Sequence, residues 1–118
     1  MEMVDKKKDI EIVYPGRILK TYFMEPLGIS GYKLAKEIGV PRITISNIVN
    51  NKRGISTDIS LRLSKYFGNS AEFWLNLQQH YELELGRERA KEVLENIIPF
   101  NKNGNDVRAN RKNEKMVN

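Results

Sequence analysis

The chain has no cysteine among its 118 residues, so it holds neither a disulfide framework nor a thiolate metal site, which suits a reducing compartment. Its apolar runs are a few residues long, far below the roughly 20 that span a bilayer. The N-terminal "MEMVDKKKDIEIVY" is charged and lacks an apolar core segment, so it is not expected to be a signal peptide. Histidine occurs once, at His80, beside a stripe of Phe73, Leu77 and Tyr81. No paired carboxylates, activated nucleophile or metal-ligand spacing accompany it, so neither an enzyme, a metal site nor a cofactor is expected. The apolar fraction of 40% is enough for one small core. A soluble, cytoplasmic protein with no membrane partner is the expectation.

The net charge of +5 is unevenly spread. Residues 15–55 carry 7 basic and 2 acidic side chains, residues 56–99 carry 5 and 7, and residues 100–118 carry 5 and 2. A basic block beside an acidic one suggests a polyanion-binding half and a half with another task, against the alternative of solvated surface.

Strand signals are scarce and helix punctuation is frequent. "YPGRILKTYFMEPLG" places Pro15 at a helix start and a stop at Pro26–Gly28. "SGYKLAKEIG" offers Ser30 as N-cap, Leu34, Ala35 and Ile38 on one face, and Gly39 as C-cap. A further helix starts at Ser56 or Thr57 and ends at Gly68. A long one begins at a Ser70 cap, repeats Phe73, Leu77, Tyr81 and Leu85 every four residues, and extends to about Ile97 with Gly86 as a weak point. Beyond Pro99 the chain reads as a disordered basic tail. The expected layout is an N-terminal extension over 1–13, a helical domain over 14–98 and a tail over 99–118.

The stretch "VPRITISNIVNNKRG" is rich in β-branched residues, yet a helix from Pro41 sorts it better than a strand. Ile45, Ile48 and Val49 then form a buried stripe, and Ile43, Ser46, Asn47 and Asn50 a second, mostly polar one. A strand would mix the two sets. With the helix before it and the turn at Gly39–Val40, this gives a helix-turn-helix over about 31–50, whose second helix enters the DNA major groove. Arg42 in that helix's first turn opposes the helix dipole, which suits a residue meeting an anion or a guanine edge. Asn47 either reads adenine or is a surface residue, and Ile43 either meets a thymine methyl or packs on the core. Ser46 shares their stripe, its hydroxyl serving a base, a phosphate or water. Base readout is therefore assigned to Arg42, Ile43, Ser46 and Asn47. Phosphate contact is assigned to Lys33, Lys36, Thr44, Asn50, Lys52 and Arg53, with plain solvation the alternative for the charged ones.

Residues 12–90 as a whole resemble the HigA/VapI-type antitoxins of bacterial type II toxin–antitoxin modules, within the lambda-repressor-like (XRE) helix-turn-helix superfamily. The resemblance rests on "PG-IL---F-EPLG-S-YKLAK-IGVP", "I--I---KRGI-TD--LRL--YFG" and, most specifically, "S-EFWLNLQ--Y-LE". It implies an all-α fold: a five-helix lambda-repressor-like DNA-binding domain with an extended C-terminal helix. It also implies a homodimer that represses its own operon at a palindromic operator on double-stranded DNA. The remaining implied partner is a HigB-type mRNA endonuclease toxin, which the chain would neutralise. A stand-alone XRE-type regulator without a toxin is the alternative. One position departs from the superfamily: its phosphate-binding Gln is here Gly31, which offers only a backbone N–H. Leu83, Val93, Leu94, Ile97 and Ile98 exceed what a small core needs and are candidates for the dimer contact.

Overall fold

The computed structural model describes residues 12–100, so expectations for 1–11 and for the tail from 101 onward lie outside the described residues. Helix α1 (15–27) starts with Pro15 at its first turn, where a missing N–H costs nothing. It is α-helical over Pro15–Ile18, π-helical over Leu19–Met24 and α-helical again over Glu25–Leu27. The helix stops within the expected Pro26–Gly28 stretch, but it carries Pro26 inside its last turn. Proline lacks a donor and crowds the carbonyl four residues back. The wide π turn just before it, in which the Glu25 N–H reaches the Lys20 carbonyl, accommodates this. The helix ends at Gly28.

Helix α2 (Gly31–Ile38) is capped by Ser30, whose Oγ accepts the Lys33 N–H at 3.0 Å. It stops at Gly39, whose φ of 74° a side chain would disfavour. Helix α3 (Arg42–Val49) follows after the three-residue link Gly39–Pro41, with Pro41 extended and no side-chain cap. Helix α4 (Thr57–Phe67) takes Ser56 as its cap, and helix α5 (Ala71–Arg89) takes Ser70, whose Oγ accepts the Phe73 N–H at 3.0 Å. Helix α6 (Lys91–Glu95) is short. The expected single helix to Ile97 is thus interrupted at Ala90 (φ −99°, ψ 11°), whereas Gly86 is carried inside α5. Nothing in the sequence marks Ala90 as the break. Among the described residues there is no strand, and no helix is long and apolar enough to cross a membrane.

The contacts divide the chain into two units, Met1–Leu85 and Gly86–Asn118. The core of the first unit joins Leu19 and Met24 of α1, Leu34, Ala35 and Ile38 of α2, and Ile45 and Ile48 of α3. Ile55, Ile59, Leu63 and Trp74 complete it. Trp74 is fully buried, its Nε1–H donating to Asn69 Oδ1 at 3.0 Å. Phe23 sits among Trp74, Phe67 and Phe73, with ring centroids 4.7, 5.1 and 5.8 Å away. Such pairs each add about 0.5–1.5 kcal/mol beyond the area they bury. Phe73, by contrast, is 37% exposed, so the inward face of α5 is not the expected stripe. It runs through Trp74, Leu77, Gln78 and Tyr81, which puts a polar residue beside the core.

In the second unit Val93, Leu94 and Ile97 are each at least half exposed, as is Phe100.

Candidate nucleic-acid interface

Helix α3 is held from below by direct contact with α1. Gly16 lies against the Ile48 carbonyl, and a Cβ at that position would overlap it. Ile45 and Ile48, each 1% exposed, fill the space on either side. The Tyr14 hydroxyl donates to the Val49 carbonyl at 2.9 Å, tying the C-terminal end of α3 to the start of α1.

The outward side of α3 is Arg42, Ile43, Ser46, Asn47 and Asn50. Ile43 is 62% exposed, too open to count as core, and Arg42 and Asn50 are exposed as well. Ser46 and Asn47 are half-buried on the same stripe. Asn50 Nδ2 lies 3.4 Å from Ser46 Oγ, so these two polar groups hold one another in the free protein. Arg42 packs with its guanidinium carbon 5.8 Å from the ring centroid of Tyr32, an exposed residue of α2.

Thr44 requires a correction. It is 7% exposed and lies with Ile45 and Ile48 on the inward side, so it does not belong with the phosphate-contacting candidates. A short helix has few residues to fix its phase, and the small, amphipathic threonine is accommodated at the edge of an aliphatic core. The other candidates are all exposed: Lys33, Lys36, Asn50, Lys52 and Arg53. Lys33 also pairs with Glu37 at 3.6 Å across one helical turn, a contact worth only a few tenths of a kcal/mol in water.

Lys52 and Arg53 sit in a loop whose backbone is fixed. Their N–H groups both donate to the Asn47 carbonyl, at 2.7 and 3.2 Å, and the Asn51 N–H donates to the Ile48 carbonyl at 3.1 Å. The loop thereby caps α3. Asn51 adopts φ 60°, and its side-chain amide donates to the Tyr81 hydroxyl at 2.9 Å. The Ile55 N–H donates to Gln78 Oε1 at 2.8 Å, and Gln78 Nε2 in turn donates to Glu82 at 2.9 Å. Gly54 lets Gln78 in: a Cβ there would come within 2.6 Å of its side-chain nitrogen.

The turn at the other end is pinned from α4. Arg62 Nη1 donates to the Ile38 and Gly39 carbonyls at 2.7 and 3.1 Å, while its Nε is shared between both oxygens of Asp58 at 3.1 Å. The arginine satisfies carbonyls that the end of α2 leaves without partners, and its charge complements the helix dipole. Gln78, Tyr81, Arg62, Tyr14 and Gly16 were not singled out as site residues by the sequence reading. For Gln78 a signal exists: it lies four residues after Trp74, on the same helix face, where a polar side chain needs a partner.

Among the described residues there is no group of three or more His, Cys, Asp or Glu side chains arranged to hold a metal ion. What converges is a basic, hydrogen-bonding face on a rigid helix.

The fold and sequence are similar to those of known proteins. A family model described as helix-turn-helix matches residues 21–74. Virulence-associated protein I of Dichelobacter nodosus is 38% identical over 101 residues, covering 86% of this chain and 93% of the relative. Antitoxin HigA-1 of Vibrio cholerae is 39% identical over 86 residues, covering 72% and 80%. The chain belongs to the HigA-type family of helix-turn-helix antitoxins. A solved HigA-family structure, Pseudomonas aeruginosa antitoxin HigA with higBA promoter, superimposes with a TM-score of 0.74 at 37% identity, covering 77% of this chain and all of the other.

Replacing Gln78 by Met in this HigA-type chain keeps the volume and removes the acceptor for the buried Ile55 N–H. A loss of about 1–3 kcal/mol is expected in urea unfolding.

Proposed function

We propose that this protein is a sequence-specific DNA-binding antitoxin that represses its own operon as a homodimer and neutralises a HigB-type mRNA endonuclease. The carrying observation is the exposed Arg42–Ile43–Ser46–Asn47 stripe on a helix whose backbone is fixed at both ends, flanked by Lys33, Lys36, Lys52 and Arg53. Membership of a family with a promoter-bound HigA among its solved structures supports the DNA partner. The protein works where its operator lies, in the cytoplasm.

In this reading the N-terminus of α3 enters the major groove and Arg42 presents its two-pronged donor face to guanine O6 and N7. Asn47 and Ser46 follow one turn deeper, and Ile43 lies against a thymine methyl. Asn50 and the Lys52–Arg53 pair grip the phosphates at the C-terminal end, and Lys33 and Lys36 grip them from α2. Contacts of the first kind select sequence; those of the second supply salt-sensitive affinity. The domain is the span 14–98, and a palindromic operator matches the two-fold axis of a dimer. The apolar side chains of Val93, Leu94 and Ile97, half or more exposed in the single chain, are what the second copy covers.

Two outcomes test the DNA half together. Arg42→Ala should cost about 1–3 kcal/mol on the operator and relax preference at one base pair. The double change Lys52→Ala, Arg53→Ala should weaken all duplexes alike and reduce the slope of log affinity against log salt by about 2. The antitoxin half is tested by co-expression with the adjacent small reading frame: growth arrest caused by that frame alone should be relieved by this chain.

A further inference from the structure

Arg42 lies at the exposed start of α3, and among the described residues no carboxylate is paired with it. Its neighbour is instead the Tyr32 ring, carried by the preceding helix, 5.8 Å from guanidinium carbon to ring centroid. Tyr32 is 59% exposed and takes no part in the core cluster, so the fold does not account for an aromatic ring at this surface position. It is the second residue of α2, next to Gly31, and shares with Arg42 the end of the helix pair where the N-terminus of α3 opens.

A free arginine has many rotamers and loses them on binding, whereas a guanidinium resting on a ring face already has its plane restricted. A carboxylate would also hold the arginine, but it would occupy the donors needed for a base and repel the phosphates. An aromatic face attracts the cation and leaves its N–H fork free. We propose that Tyr32 is a positioning residue for base recognition: its ring orients the Arg42 guanidinium for guanine, making Tyr32 a determinant of operator specificity without touching a base. The proposal rests on the reading of Arg42 as the base contact.

The test uses the full-length chain and a duplex that the unaltered protein selects from a random-sequence pool, together with every single-base-pair variant of that duplex. Binding is measured for the unaltered chain, Tyr32→Phe, Tyr32→Ala, Arg42→Ala and the double variant Tyr32→Ala, Arg42→Ala. Far-ultraviolet circular dichroism checks that each is folded. Tyr32→Ala should reduce discrimination about two- to fivefold, at the same base pair that Arg42→Ala affects. Tyr32→Phe should keep it, since the ring rather than the hydroxyl is required. In the Arg42→Ala background, Tyr32→Ala should change nothing further.

A uniform loss on every duplex with discrimination intact would make Tyr32 a phosphate contact and overturn the proposal. So would equal losses from Phe and Ala, or full additivity in the double variant. If Arg42→Ala alone weakens all duplexes equally, the base-contact reading itself fails, and that result is read without reference to any Tyr32 variant.

Discussion

Where helix α1 crosses helix α3, Gly16 rests against the Ile48 carbonyl with no room for a methyl group between them. Two helices normally keep their backbones apart by the thickness of their side chains. Here the absence of one lets α3 seat deep on α1, so that Ile45 and Ile48 reach the core while the opposite face stays at the surface. Ile48 follows the half-buried Asn47 in the chain, and its carbonyl also receives the Asn51 N–H. Displacing α1 would therefore disturb the seat of the exposed stripe and the cap that follows it.

The remaining supports are polar and come from far along the chain. Arg62 reaches back 24 residues to the end of α2, Gln78 reaches 23 to Ile55, and Tyr81 reaches 30 to Asn51. Hydrogen bonds of this kind contribute modestly to net stability, but leaving a buried partner unmet is costly, so they fix geometry more than they add energy. Rigidity matters for recognition. Groups that must find base edges lose less on binding if their backbone is already ordered. The Lys52–Arg53 loop, an irregular segment on the surface, is ordered in this way.

Local features of the fold were legible in the sequence because local rules govern them. Ser30, Ser56 and Ser70 cap the helices that follow, and Gly39 ends α2 in the left-handed conformation. The split of the β-branched stretch over residues 40–54 into an inner and an outer stripe followed from helical spacing alone. Thr44 escaped because its hydroxyl suggested a polar role, although it lies four residues before Ile48 and so beside the inner stripe. The π turn ahead of Pro26 escaped because sequence patterns treat proline as a stop and the accommodation is a matter of backbone geometry. Gln78, Tyr81 and Arg62 escaped because their partners lie more than twenty residues away. The stretch "EFWLNLQ--Y", which carries the family resemblance, contains two of them, Gln78 and Tyr81.

Together these contacts describe a helix-turn-helix whose exposed polar face is presented by α3 and stabilised from α1, α4 and α5. On the function proposed above, α3 approaches DNA through the major groove, in two copies. Methylation interference at guanine N7, an atom exposed only in that groove, addresses it most directly. The account predicts interference at guanines in two inverted half-sites about 10–10.5 bp apart, one helical turn, on one face of the duplex. Tight, sequence-specific binding with no N7 interference, or with interference at a single asymmetric site, would contradict it.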